Sequence, residues 1–405
     1  MNKTIFSSDI STDKELIINE GKPITDYKKI IKSEVSQEAL EKGELFARCI
    51  SENIITDFEK TEELFKCGKV SEVDHMVHVS TFIFLNGMIY MTYYANTYTE
   101  YENPDYQRAR FVYCPADNTE NKTFVDIQAV GDSCYDGVVE KVYDTILMQK
   151  DKNTLFILWT AQVSGKYYRL YRIFTISDGK LGDVQVNRFK VKDTVNDFSN
   201  TGIRTALAEN EIPCKKMYSD IGIMQKLSSR IENGVKYYYS GAYSGDFTCI
   251  IKSADLITWE YVSQPDFVNN SKWENAVYVR DNKCYYFVRQ QDDDKYGFLT
   301  YYDLETEKWE KPVLIEDCQS RSDFIEFDGN LYLFHAPIDR EHIGIVKVDT
   351  NDIAGSEVLL QANMKSSCFY PFVQYDESNS LCMSYTVDRK HIRLARFDMS
   401  KLVQA

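Results

Sequence analysis

Several things are scarce in this chain, and each shortage excludes a class of protein. Basic charge is in deficit: 47 Lys and Arg stand against 62 Asp and Glu, a net charge of −15. A phosphate backbone needs a basic surface, so no nucleic-acid partner is expected. A few arginines can still build a local positive site for an anionic sugar. No apolar run approaches the ~20 residues of a membrane span, so no membrane partner is expected. The N-terminus, MNKTIFSSDISTDKE, has no apolar core of signal-peptide type. The 10 cysteines stand singly, without a CxxC pair. That pattern suits reduced thiols in a cytoplasmic protein better than a disulfide framework or a zinc site. A secreted chain stripped of its leader would look the same. Histidines number 5 and tryptophans 4. No resident cofactor is implied, although a ring of carboxylates could hold a calcium ion.

What is abundant is tyrosine and phenylalanine, 29 and 22 residues, within a chain that is 43% hydrophobic. Aromatic side chains pack well on a pleated surface, so this composition suits strands. It also suits sugar binding, where a ring lies on the pyranose face and a hydroxyl offers a hydrogen bond.

The 405 residues allow two or three domains, or one large all-β repeat with an appended segment. Residues 1–72 read as that segment, largely helical and packed on the rest: Phe46, Ile50, Ile54 and Phe58 recur every fourth residue, as on one helical stripe. It would be a structural flap or a lid. From 73 to 405 the pattern changes and repeats. FIFLNGMIYMTYYA, ILMQKDKNTLFILWTA, IMQKLSSRIENGVKYYYSGA, AVYVRDNKCYYFVR, FIEFDGNLYLFHA and FVQYDESNSLCMSYT each read as strand, tight polar turn and Tyr/Phe-rich strand. A further strand pair follows each hairpin. The fold class predicted is all-β, a β-propeller of six four-stranded blades, with seven allowed. An insertion at 196–217 carries a short helical stretch, and such insertions usually decorate a binding face.

Aligning the first residues of each repeat's innermost strand collects polar side chains at one channel mouth. They are His75 and His78, then Asp144, Asp220, Glu274, Arg321 with Asp323, and Tyr370. Four consecutive repeats offer a carboxylate at the same place. These acids could cap strand ends or bond to a neighbouring blade; in register beside His, Arg and Tyr they point instead to a functional ring. Crowded carboxylates split into protonated and ionised members, and glycoside hydrolysis needs that division. The catalytic candidates are Asp144, Asp220, Glu274 and His78. The substrate-binding candidates are His75, Arg289, Arg321, Asp323, Tyr370 and Arg389, with Arg340 and His391 nearby. As zinc ligands His75 and His78 would need a third partner that the sequence does not identify.

KSADLITWEY, residues 252–261, resembles the Asp-box of sialidase-like propellers, and YDLETEKWE (302–310) is a weaker echo. The resemblance implies that Ser253, Asp255 and Trp259 shape a turn and lie outside any site. The 370–398 segment looks like the closing blade of sialidase-like proteins. Asp144, Asp220 and Glu274 also resemble the Asp, Asp, Glu set of family 43 and family 32 glycosidases. That set would make them nucleophile or base, modulator, and general acid. Those enzymes have five blades, however. Sialidases have six, with an arginine triad and a Tyr/Glu nucleophile pair that no motif here locates. A third propeller group, acting on rhamnose–glucuronate linkages, uses His, Tyr and Arg, which His75 or His78, Arg321 and Tyr370 would suit. Three functions follow as expectations: a glycoside hydrolase on a carbohydrate substrate, a uronate-directed lyase, and a non-catalytic glycan-binding propeller.

Overall fold

A computed structural model of the chain describes residues 26–217, 221–223, 226–265, 274–289, 296–318, 320–338 and 340–403. Its hairpins form where Asn-Gly or Asp-Gly separates apolar runs. Asn86 and Gly87 have φ of 54° and 73°, Asn233 and Gly234 of 49° and 81°, Asp328 and Gly329 of 48° and 70°. Left-handed backbone at both turn positions is the type I′ geometry, whose twist matches that of the flanking strands. Each turn fixes its register: Leu85 pairs with Met88, Glu232 with Val235 and Phe327 with Asn330.

These hairpins grow into an all-β propeller. The described strands form six sheets. The first holds Met76–Leu85, Met88–Asn96, Gln107–Pro115 and Thr123–Ala129, and the second is built on Gly137–Gln149, Thr154–Val163 and Lys166–Thr175. The third contains Val235–Ser244, Phe247–Ser253 and Thr258–Ser263, and the fourth Asn275–Arg280, Lys283–Val288, Gly297–Asp303 and Val313–Ile315. The fifth runs Asp323–Phe327, Asn330–His335, His342–Val348 and Glu357–Asn363; the sixth holds Cys368–Tyr375, Leu381–Val387 and His391–Phe397. Five blades are clear, against the six expected. In the third sheet the innermost position is divided between Ile221–Ile223 and Ser228–Glu232, with undescribed residues between and before them. Arg188–Val191 runs parallel to Thr258–Ser263, the outer strand of the third sheet. Apolar clusters join neighbouring sheets, and one that includes Val77, Phe82, Phe372 and Ile392 joins the sixth to the first.

The N-terminal segment departs from the helical expectation. Ser36 caps a helix, α1 (Gln37–Cys49), which ends at Ile50 in extended backbone. The chain then forms a strand, Ser51–Thr56, before Asp57 caps α2 (Phe58–Lys66). Phe46 is therefore on a helix, Ile54 on a strand, and Phe58 is 40% exposed at the start of the second helix. The spacing of four is real, but the Ile-Ile-Thr run is β-branched, and an open sheet edge captures it. Ser51–Thr56 pairs antiparallel with His391–Phe397 and supplies the sixth sheet with its outer strand. Glu52 secures that strand by accepting from Tyr385 Oη and from Arg393 Nη1, the latter at 2.9 Å. Lys29–Ile31 adds in parallel to Val313–Ile315 of the fourth sheet. α1 lies flat on the outer strand of the fifth sheet, where a Cβ on Gly43 would come 1.9 Å from the Gln361 carbonyl oxygen.

Candidate active site

Three innermost strands slip register: between His78 and Thr81, between Tyr143 and Ile146, and between Phe369 and Phe372. One residue in each slip has left-handed backbone, Val79 at φ 54°, Asp144 at 52° and Tyr370 at 57°. A bulge leaves a residue out of the ladder and re-aims its side chain. For side chains of these types the conformation costs roughly 1–3 kcal/mol each, and such strain collects at functional sites. It recurs at equivalent positions of the first, second and sixth sheets, all at one end of the propeller.

Tyr370 is the centre of what gathers there. Its hydroxyl accepts from Arg289 Nη1 at 3.1 Å, and the same nitrogen donates to Glu274 Oε2. The Arg321 guanidinium lies 5.0 Å from the centre of the Tyr370 ring. On the ring's flank stacks His78, with centroids 4.6 Å apart and planes 21° apart. Burial, with Glu274 adding to it, pushes the Tyr370 hydroxyl well above its ordinary range despite three arginines that oppose the shift. Burial, followed by the charges of Arg389, Arg340, Arg321 and Arg289, holds His78 well below the usual histidine range. His78 is thus neutral at neutral pH. Its Nδ1 lies 3.2 Å from Thr386 Oγ1.

Asp144 and Glu274 meet through Arg321. Arg321 Nη2 is 2.6 Å from Asp144 Oδ1 and 3.6 Å from Glu274 Oε1. Asp144 Oδ2 accepts from Tyr243 Oη at 2.7 Å, and Arg169 Nη1 donates to the Asp144 carbonyl at 2.8 Å. The second, third, fourth and fifth sheets are cross-linked in this way across one end of the axis. Several buried polar atoms stay unused: among the described residues the Arg321 Nε and Nη1 donors, the Arg289 Nε donor and the His78 Nε2 atom have no hydrogen-bond partner. An unsatisfied buried charged donor is costly, so this cluster is set up to receive an acceptor.

The other sequence candidates are placed differently. Asp323 faces Lys226, with Nζ to Oδ2 at 3.1 Å, and accepts from the Val373 amide at 2.8 Å. Burial pushes its carboxyl up to about 6. Lys226 also donates to the Val373 carbonyl, so it reaches from the third sheet across the axis to the fifth and sixth. Asp323 belongs to that clip and shares no ligand with Asp144 or Glu274 among the described residues. His75 packs on Phe58 of α2, centroids 5.0 Å apart, and His391 approaches Asp57, so neither joins the cluster around Tyr370. Arg389 and Arg340 lie over Phe369, at 4.9 and 5.3 Å, and Arg389 pairs with Glu102 at 3.2 Å. Asp220 lies outside the described residues. No group of three or more His, Cys, Asp or Glu among the described residues is placed to hold a metal ion, and no described helix is long and apolar enough to cross a membrane.

Sequence reasoning missed the Tyr/carboxylate pair, because 96 positions separate Tyr370 from Glu274 and no local motif joins them. Arg169, Tyr243 and Lys226 were missed as well, since each reads as an ordinary strand or loop residue. The Asp-box reading of 252–261 matches the geometry: Asp255 Oδ1 accepts from the amides of Ile257 and Thr258, both at 2.8 Å, and Trp259 is buried.

No family model matches the chain. No curated protein sequence matches it significantly either. Its fold does match solved structures. A Trypanosoma rangeli sialidase bound to a difluorinated keto-deoxy-nonulosonic acid superposes with a TM-score of 0.52 at 14% identity, covering 82% of this chain and 55% of that one. A mutant of the NanB sialidase from Streptococcus pneumoniae superposes with 0.52 at 10% identity, covering 81% and 69%. The chain therefore spans little more than half the length of the trypanosomal sialidase. What these likenesses establish is a sialidase-like propeller fold.

Proposed function

We propose that this chain is a glycoside hydrolase acting at the mouth of the propeller on a glycan that carries a carboxylate, with Tyr370 as nucleophile and Glu274 as its base. The observation that carries the reading is the shared donor: Arg289 Nη1 holds the Tyr370 hydroxyl and the Glu274 carboxylate together. A buried tyrosine hydroxyl is a weak nucleophile until an adjacent base takes its proton. It also carries no charge to repel an anionic sugar, which a carboxylate nucleophile would. Tyrosine is the nucleophile in sialidases, the exception among glycosidases that otherwise use two carboxylates. The unused N–H groups of Arg321 and Arg289 are the kind of donors that a carboxylate satisfies. Glu274, which the family 43 comparison would make a general acid, serves here as base because Arg289 and Arg321 both pair with it. Asp144 orients Arg321. The trypanosomal sialidase is also described as a covalent intermediate with difluorosialic acid, which supports the same chemistry by analogy of fold.

The test is hydrolysis of 4-methylumbelliferyl sialoside and glucuronide by wild type, Tyr370→Phe and Glu274→Gln. Tyr370→Phe should abolish turnover, and Glu274→Gln should lower kcat by about 10²–10⁴-fold, the range for removal of a general base. A fluorinated sugar should leave a mass adduct on the Tyr370 peptide. Wild-type rates in both variants would end the assignment.

One observation favours a second reading. His78 is neutral, stacks on Tyr370 and has an unpartnered Nε2 among the described residues, an arrangement suited to abstracting a proton beside a uronate. Such a lyase makes an unsaturated, ultraviolet-absorbing product, which a hydrolase cannot.

A further inference from the structure

The loop from 97 to 106 presents three tyrosines to solvent: Tyr98 and Tyr101 are 71% and 64% exposed, and Tyr106 is 46% exposed. Tyr135, in the next connection, is 70% exposed. Exposed aromatics in a floppy loop would mean little, but this loop is braced. Buried Asn96 accepts from the amides of Tyr98 and Thr99, each at 2.8 Å, and donates to the carbonyl of Asn103 at 3.1 Å. Lys141 Nζ pins Asp105 at 2.9 Å, and the Tyr98 and Tyr106 rings lie 4.8 Å apart at 33°.

The loop is also tied to the candidate site. His78 pairs with Tyr94, so the chain after Asn96 leaves the first sheet at the His78 end. Arg108 pairs with Ala129, which brings the connection bearing Tyr135 out at the same end. Within the loop, Glu102 accepts from Tyr94 Oη at 2.6 Å and pairs with Arg389. Tyr94 touches His78 edge-on, and Arg389 covers Phe369. The loop is thus joined by direct contacts to the two residues that flank Tyr370, His78 and Phe369.

We infer that Tyr98, Tyr101 and Tyr135 form a stacking platform for further sugar units of the same glycan whose acidic residue enters the Tyr370 site. This rests on the proposed function. A tyrosine ring offers an apolar face to the C–H side of a pyranose and a hydroxyl to its rim, at little entropic cost because only two torsions must be fixed. Lys141, Arg389 and Lys390 reach the loop and pair with its acids Asp105, Glu102 and Glu100, so the platform suits neutral sugar units. Acid recognition stays with Arg289 and Arg321.

The experiment measures binding on a Tyr370→Phe background, so that nothing is turned over. The probes are free sialic acid, free glucuronic acid, and linear oligosaccharides of at least three units ending in each. Replacing the three tyrosines by Ala should reduce affinity for the oligosaccharides about tenfold, equivalent to about 1.4 kcal/mol, and leave the monosaccharides unaffected. An unchanged ratio of oligosaccharide to monosaccharide affinity overturns the platform, and so does binding of no probe at all. Arg289→Ala should weaken every probe alike. If it weakens none while the tyrosine variant still loses the oligosaccharides, the platform stands and the Tyr370 reading falls. Sedimentation showing that the tyrosines instead bury against a second copy overturns the platform too.

Discussion

Replacing Asp323 by Asn distinguishes a sugar-binding role from the clip at the propeller axis. Asp323 is buried and faces Lys226, which is 5% exposed and carries Val373 as its other partner. Removing the carboxylate strands a buried ammonium, at a cost of about 3–5 kcal/mol. With about 2.1 cal/mol/K of unfolding entropy per residue over about 400 residues, a loss of about 4 kcal/mol lowers Tm by about 5 °C. Burial outweighs the attraction of Lys226 in setting the Asp323 carboxyl at about 6, so the pair is not a net source of stability. Replacing both partners, Lys226→Met with Asp323→Leu, should be close to neutral. The pH sign follows from the same shift. The folded carboxyl holds its proton more tightly than the unfolded one, so stability falls as pH rises from about 4 to about 6, by about 3 kcal/mol in all. Asp323→Asn should remove that slope. Thermal and urea unfolding of wild type and the two variants between pH 4 and pH 7 reads all of this. A double variant as damaged as Asp323→Asn alone, or an Asp323→Asn protein with wild-type Tm, refutes the reasoning.

His335 carries the opposite slope: burial lowers its pKa to about 4. The unfolded chain therefore gains a proton first on acidification, and about 3 kcal/mol of stability present above pH 6.5 is lost by about pH 4. In His335→Asn, the Tm-versus-pH curve should flatten below pH 6.5. Ile55 in the closing strand is 1% exposed and belongs to the core shared by the first and sixth sheets; Ile55→Asp buries an unpaired charge there and should leave the protein aggregated on size-exclusion chromatography. Asp255→Ala removes an acceptor from two turn amides and should cost about 1–2 kcal/mol by thermal melt, with binding of acidic sugars unchanged.

The repeat of strand, polar turn and aromatic strand was enough to specify an all-β propeller, because alternation and type I′ turns are local properties written within a dozen residues. The Asp-box was legible for the same reason: Ser253, Asp255 and Trp259 lie within one turn and act on its own amides. The innermost-strand starts were legible as positions, and His78, Asp144, Glu274, Arg289, Arg321 and Tyr370 do converge. Their partnerships were not. Whether Asp323 faces a sugar or Lys226, and whether Glu274 sits beside Tyr370, depends on how the sheets are rotated about the axis, and no local sequence encodes that angle. The N-terminal strand shows the same division. The four-residue spacing from Phe46 to Phe58 described a helix until a sheet edge 340 residues away offered Ser51–Thr56 its hydrogen bonds. Local propensity chose the hairpins; ring closure, which only the tertiary structure supplies, chose the last strand and the chemistry at the mouth.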